Sequence, residues 1–294
     1  MTEIELLSPA KINLYLAVTG RREDGFHSLI SLVAPLAFGD RVSVSVEPGD
    51  SGIELECSRA GIPLDKGNLA WRAASAFLEA FDIQASVRIG IDKKIPVGAG
   101  LGGGSSNAAT MLLALTKLFE VADSKKVTKI AESLGSDCPL FLRSVPQVMR
   151  GRGEQLDSIG DNARASLARR QLVLFKPSFG IATPWAYRTL AADPSAYTKQ
   201  EAAEAAIKSW KDGDVGLEGL LFNSFERAIG KKYGAIPLLL KRIRDSIGSA
   251  CLMSGSGSCC YALAEDSDVE RIRALVVDCW GNNAFFRVSR IEDI

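Results

Sequence analysis

Between Gly98 and Gly104 the chain carries five glycines, and they lead directly into Ser105, Ser106 and Asn107 at the head of an Ala/Leu/Met run with helical spacing. Backbone that lacks Cβ lets a polyanion come close. The first turn of a helix adds N–H groups without intrahelical partners and the positive end of the helix dipole. The chemistry this pattern implies is phosphate binding, with two serine hydroxyls at the junction as further donors or as ligands of a metal ion. Two familiar phosphate loops do not fit. A Walker A loop ends in Gly-Lys-Ser/Thr, and here Gly104 is followed by serine. Gly98, Gly100 and Gly103 satisfy G-x-G-x-x-G, but Asp92-Lys93-Lys94-Ile95-Pro96 separates them from the strand expected at Ser86 to Ile91. A dinucleotide fold runs its strand straight into the first glycine, and Pro96 cannot extend a central strand.

Three other places carry groups suited to chemistry. Lys11 and Asn13 lie two residues apart in an alternating stretch, so they project from one face of a strand whose other face holds Ile12, Leu14 and Leu16. Taken alone, Lys11 reads as a solvated charge. Phe26 and His27, the only histidine, follow the turn signal Asp24-Gly25; a ring stacks on any base, and an imidazole can meet the polar edge of a pyrimidine. Asp137, ahead of Cys138-Pro139 and an apolar segment, reads alone as a turn or cap residue and, with a phosphate loop upstream, as a candidate base.

Composition limits the remaining possibilities. The 294 residues permit one large or two medium domains, and 47% hydrophobic with 24% charged is an ordinary globular balance. Lys plus Arg and Asp plus Glu both number 35, which excludes a global field for nucleic acid or an anionic membrane. Six cysteines form no C-x-x-C pair, so reduced structural thiols are expected. The stretch Met1-Thr2-Glu3-Ile4-Glu5 has no basic or apolar leader character, and no run approaches a membrane span; a cytoplasmic location is expected.

The pattern of elements is mixed. Strands are expected at Lys11 to Ala17, Leu29 to Phe38, Arg41 to Val46, Gly52 to Cys57, Ser86 to Ile91, Gln171 to Lys176 and Ala284 to Ser289. Helices are expected from Asn68 to Phe81, after the glycines, at Ser124 to Leu134 with Gly135 as its closing glycine, within Asp193 to Gly213, and at Asp268 to Cys279. Ser254-Gly255-Ser256-Gly257-Ser258 reads as a glycine turn between two strands. Gly151-Arg152-Gly153-Glu154 reads as a turn that ends a first domain.

Pro96-Val97-Gly98-Ala99-Gly100-Leu101-Gly102-Gly103-Gly104-Ser105-Ser106 resembles the P-x-x-x-G-L-G-S-S loop of the GHMP superfamily of small-molecule kinases. The G-G-G-S-S-N-A ending is similar to one branch, the diphosphocytidyl-methylerythritol kinases, as are Pro9-Ala10-Lys11-Ile12-Asn13-Leu14, Arg21 to His27, the G-x-D-x-P at Gly135 to Pro139, and Thr183-Pro184. The chain departs with Phe26 where that branch typically has tyrosine, which keeps a stacking face and gives up a hydroxyl, and with Ser224 for aspartate in Asn223-Ser224-Phe225-Glu226, a position read as structural.

The resemblance implies an α+β, two-domain GHMP kinase fold, with an N-terminal lobe like ribosomal protein S5 domain 2 at 1–155, a ferredoxin-like C-terminal lobe at 156–294, and the substrate cleft between them. It implies ATP and Mg²⁺, and transfer of the γ-phosphoryl to the 2-hydroxyl of 4-diphosphocytidyl-2-C-methyl-D-erythritol (CDP-methylerythritol) in the non-mevalonate isoprenoid pathway, by a monomer or weak homodimer. Asp137 would be the base and Lys11 would keep it ionised. Pro96 through Ser106 would hold ATP, with Asn68, Leu69 and Lys93 as weaker nucleotide contacts. Asn13, Phe26, His27, Thr183 and Tyr187 would bind the acceptor, Phe26 and Tyr187 closing over cytosine, although Tyr187 or its neighbour Trp185 could equally be core. Alternatives are a GHMP kinase for mevalonate, homoserine or a sugar, whose substrates offer no base to stack, and a nucleotide-binding regulatory module without turnover.

Overall fold

The computed structural model describes residues 2–49 and 52–292. Two compact units emerge, and neither is a continuous stretch of chain: the first comprises residues 1–10, 38–96 and 102–145, the second 11–37, 97–101 and 146–294. Compactness thus divides the chain differently from the single boundary expected after residue 155. The reason lies in strand length. β1 (Thr2–Arg21) and β2 (His27–Pro48) are 20 and 22 residues long, far beyond the usual five or six, and each contributes one end to each unit. The two segments expected at Leu29 to Phe38 and Arg41 to Val46 are one strand, because Gly39-Asp40 interrupts the apolar pattern without interrupting the backbone.

In the first unit β2 pairs antiparallel with β4 (Ala85–Asp92), Arg41 opposite Asp92 and Pro48 opposite Ala85, and β4 pairs in parallel with β3 (Ile53–Cys57). Four helices cover this sheet: α1 (Leu69–Phe81), α2 (Gly103–Leu118), α3 (Ser124–Leu134) and α4 (Cys138–Arg143). Their apolar faces meet in a core that includes Val42, Val44, Phe77, Ile89, Met111, Leu112 and Ile130. Asn68 caps α1 by accepting from the Ala70 N–H at 2.9 Å. Gly135 ends α3 in extended backbone, φ 167°, so the left-handed helix-closing conformation usual for a glycine there is not used.

The second unit holds β5 (Gln147–Arg150) and β6 (Gln155–Ser158), a hairpin whose turn is Gly151 to Glu154, with β5 also paired to Ser31–Val33 of β2. Then follow α5 (Asp161–Leu167), β7 (Gln171–Lys176), α6 (Thr183–Ala191), α7 (Gln200–Lys211), α8 (Leu217–Leu220), β8 (Phe222–Asn223), α9 (Ser224–Gly230), α10 (Ala235–Ile247), β9 (Cys251–Met253), β10 (Cys260–Leu263), α11 (Asp266–Trp280) and β11 (Phe285–Arg290). Its four-stranded antiparallel sheet runs β11-β7-β10-β9, α10 packs on α11, and β8 pairs in parallel with β1 at Tyr15 and Leu16. Helices and antiparallel strands are both abundant, as an α+β class requires. Among the described residues no helix is long and apolar enough to cross a membrane.

Candidate active site

The glycine segment alternates its backbone. Gly98, Gly100 and Gly102 all adopt positive φ (62°, 75° and 72°), a region open to glycine and strained for other residues. Gly100 needs its glycine twice over, since a Cβ there would stand 2.2 Å from the Ser254 carbonyl oxygen. The middle of the segment belongs to the second unit and is pinned there. The Ala99 carbonyl accepts from the Cys259 N–H (3.0 Å), that of Gly100 from the Ser254 hydroxyl (3.1 Å), and that of Leu101 from the Lys11 N–H (3.0 Å). Ala99 and Leu101 are buried, whereas Val97 is exposed.

The segment's continuation, Gly103 onward, is the first turn of α2 in the first unit. Gly104 is solvent-exposed and helical; a Cβ there would meet only Leu69 Cδ1 at 3.7 Å. Leu69 therefore sits beside the helix start. Of the two serines, Ser106 is fully buried and its hydroxyl accepts from that of Ser8 at 2.8 Å. Ser105 is half-buried, and its hydroxyl bonds the Cys138 thiol, whose pKa burial pushes up to about 11. Asp137, the next residue back, is half-buried, and its side chain does not cap α4.

Lys93 lies inside. Its side chain is 7% exposed, ion-paired with the fully buried Asp40, and its Nζ also donates to Asn107 Oδ1 at 3.0 Å. Asp40 is a residue that the sequence pattern gave no reason to single out, and Asn107 was read only as part of the helix start.

In the second unit the strand face of Lys11 and Asn13, polar by its residue types, is buried rather than solvated: Lys11 is 6% and Asn13 5% exposed. Lys11 Nζ donates to Asn13 Oδ1 at 2.6 Å, Asn13 Nδ2 donates to the Ser31 hydroxyl at 2.8 Å, and the Tyr261 hydroxyl donates to the Asn13 carbonyl at 3.1 Å. Burying a lysine and an amide in this way is costly unless each polar atom is bonded, and these are.

The aromatic group forms around His27. Its ring lies 4.8 Å from that of Tyr187 and 6.0 Å from that of Tyr197, and Tyr187 stands edge-on to Phe225 at 4.9 Å. Burial first and the Arg21 charge second lower the His27 pKa from 6.5, so the imidazole is neutral near pH 7. His27 Nε2 is buried and has no hydrogen-bond partner. Trp185 stands apart from this group, edge-on to Tyr233 at 5.2 Å and under the Lys232 ammonium. Thr183 opens α6 and shares a helix face with Tyr187 one turn on; its hydroxyl lies 2.8 Å from that of Ser256. Phe26 is 55% exposed and carries the Arg152 guanidinium 4.8 Å above its ring.

At the position read as structural, the Ser224 hydroxyl accepts from the Val18 N–H at 3.0 Å, and its neighbour Asn223 ties more of the chain. The Asn223 amide donates to the carbonyls of Met253 (2.7 Å) and Gly255 (2.8 Å) while its oxygen caps α9 at the Phe225 N–H. It thereby orders the serine-glycine turn that holds Gly100. The buried thiols of Cys251 and Cys259 are pushed up to about 12, which leaves them un-ionised and unreactive.

Residues 68–144 match the family model described as the GHMP kinases N terminal domain, and residues 199–279 match that described as GHMP kinases C terminal. The class is therefore a GHMP kinase with both of its characteristic parts. A crystal structure of a 4-(cytidine 5'-diphospho)-2C-methyl-D-erythritol kinase superposes with a TM-score of 0.78 at 36% identity, covering 98% of this chain and 100% of that one. The 4-diphosphocytidyl-2-C-methyl-D-erythritol kinases of Methylacidiphilum infernorum and Thermus thermophilus are 36% and 38% identical over 90% and 95% of this chain, and over 88% and 94% of their own lengths. This chain belongs to that family, the 4-diphosphocytidyl-2-C-methyl-D-erythritol kinases.

Proposed function

We propose that the protein transfers the γ-phosphoryl of ATP to the 2-hydroxyl of CDP-methylerythritol, the isoprenoid-precursor step expected of its family. The observation that carries the acceptor half is the orphaned Nε2 of His27, whose ring lies beside those of Tyr187 and Tyr197. An unpaired buried polar atom costs on the order of 1–3 kcal/mol, so it is tolerated where a ligand completes it, and a neutral imidazole beside stacking rings suits the polar edge of a pyrimidine. Phe26, Thr183, Tyr187 and Asn13 complete the acceptor set in this reading. Mevalonate, homoserine and sugars have no base to stack there.

Phosphoryl transfer depends on positioning and charge compensation more than on covalent chemistry. The N–H groups at the start of α2, with Gly98 to Gly104 open to close approach, take the phosphates, while Asn68 and Leu69 flank the nucleoside. Asp137 accepts the proton of the attacking hydroxyl, and Lys11 screens developing charge. Among the described residues no three acidic, histidine or cysteine side chains cluster to form a metal cage. Mg²⁺ needs none, because it keeps waters and binds through one or two protein oxygens plus substrate phosphates; the Ser105 hydroxyl fits that role. When bound, the ion neutralises phosphate charge. A cytoplasmic site of action, division into functional lobes near residue 155 and a monomer or weak homodimer belong to the same proposal, the first because ATP is the donor.

The test supplies ATP-Mg²⁺ with CDP-methylerythritol, mevalonate, homoserine or galactose in turn and measures ADP. Turnover with the cytidyl acceptor alone is expected; equal turnover with mevalonate would overturn the assignment.

A further inference from the structure

The glycine segment leaves the first unit after Pro96 and returns at Gly102, so its two ends must be held at a fixed separation within that unit. One buried carboxylate touches both. Asp40 Oδ1 accepts from the backbone N–H groups of Lys94 and Ile95, each at 2.8 Å, just before the segment. Asp40 Oδ2 accepts from Asn107 Nδ2 at 2.9 Å, in the opening of α2 just after it, and from Lys93 Nζ. Asn107 Nδ2 also donates to the Ser8 hydroxyl (2.8 Å), which donates to Ser106 (2.8 Å). Two glycines make room. A Cβ at Gly39 would stand 2.2 Å from the Ser8 carbonyl oxygen, and one at Gly103 would stand 3.1 Å from Lys93 Nζ and Ile95 Cγ2.

We propose that Asp40 is the positioning residue of the nucleotide site: it sets the spacing between the two ends of the glycine segment, with Lys93 neutralising it and Asn107 carrying its hold to α2. This rests on the reading of that segment as the phosphate site. A buried ion pair adds little net stability over an apolar pair of like volume, so stability alone gives weak grounds for placing a charge at zero exposure. The distribution of its four bonds supplies the stronger grounds. Two go to one end of the segment, one goes to the other, and the fourth goes to the cation that also ties Asn107. Asp40 touches no reacting group; it acts by where the helix N-terminus points.

Two neutral double variants separate this role from mere core stability. In Asp40→Asn/Lys93→Met the amide oxygen still accepts from Lys94 and Ile95, and the amide group can still bond Asn107. In Asp40→Leu/Lys93→Met no acceptor remains. Calorimetric titration of ADP, below the lowest Tm of the set, is expected to show the second double weaker than the first by about tenfold or more, the scale of one misaligned charge-assisted bond; Lys93→Met is common to both, so its own effect cancels. The KM for ATP should follow, with kcat changed far less, and free CDP should bind both alike. Equal ADP affinity in the two doubles would overturn the proposal. Should the leucine double fail to fold, Asn107→Leu decides: it keeps the Asp40–Lys93 pair and cuts the link to α2, and parent-like ADP affinity there would overturn the proposal. Gly104→Ala distinguishes the failures. If it binds ADP as the parent does, the segment is not the phosphate site and both ideas fall; if it loses ADP while the Asp40 and Asn107 variants do not, only the role of Asp40 falls.

Discussion

The glycine segment and the His27 group prepare for their ligands in opposite ways. At the glycine segment a group of polar side chains is already satisfied, Asp40, Lys93, Asn107, Ser8 and Ser106 bonding one another, and the backbone N–H groups of the helix start are open valences. At His27 the rings are packed and one side-chain nitrogen is left without a partner. A phosphate is recognised by charge and approach, which fixed backbone provides without choosing a substrate. A base is recognised by the pattern of its edge, which requires an unspent side-chain group. If the proposed roles hold, the difference teaches that donor binding is built into the fold, whereas acceptor choice resides in a few side chains.

The largest expected effect lies outside both regions and calibrates them. Asp137→Asn keeps shape and loses the proton acceptor, so turnover should fall by about 10²- to 10⁴-fold with ADP affinity intact. A fall below about tenfold would remove Asp137 from that role.

Gly104→Ala sharpens the contrast, because it should move stability and affinity in opposite directions. Alanine in a helix is up to about 1 kcal/mol better than glycine, and the new methyl meets only Leu69, so Tm should hold or rise. The same methyl stands where a phosphate would approach. ADP should weaken by roughly ten- to hundredfold, the loss of one charge-assisted bond, while AMP changes little. Equal loss for both nucleotides would break the assignment of this end to phosphate.

Phe26→Ala should weaken the cytidyl acceptor by about 1 kcal/mol, the low end of the ~1–3 kcal/mol for a base on a ring, because this ring is more than half exposed and already carries Arg152. ATP affinity should be unchanged, and Phe26→Tyr should be nearly silent. Calorimetry with each ligand separately checks this; loss of ATP instead would exchange the roles of the two regions.

The smallest effect is a pH slope. His27 titrates below 6.5 when folded, owing first to burial and then to Arg21. Above 6.5 both folded and unfolded forms are neutral and the contribution of His27 is complete; as pH falls through 6.5 the unfolded chain takes the proton first, and stability drops. Parent Tm should therefore fall more steeply than that of His27→Gln between pH 7 and about 5.5. Parallel slopes would mean that the imidazole is not held neutral.

What the sequence made legible was local. The glycine run, the Asn68 cap, the helix Ser124–Leu134 and the strand Gln171–Lys176 are each decided by neighbours within a few residues, and they stand where spacing put them. The network behind the glycines was not legible, because Asp40 meets Lys93 across 53 residues and Ser8 meets Asn107 across 99. The burial of Lys93, which the resemblance implied as a nucleotide contact, was hidden for the same reason: no local pattern announces a buried anion on the paired strand. The burial of Lys11 and Asn13 was hidden likewise, since the atoms that satisfy them come from Ser31 and Tyr261.

The two long strands also govern how this protein can be cut. Because β1 and β2 each thread both units, and residues 97–101 are lent to the second from within the span of the first, no contiguous piece of the gene encodes either unit. A truncation at residue 155 would strip the second unit of its sheet β11-β7-β10-β9 and leave it only residues 11–37, 97–101 and the β5–β6 region's start. Recombination therefore cannot swap either unit as a block, and this chain can diverge only by point changes on an indivisible frame.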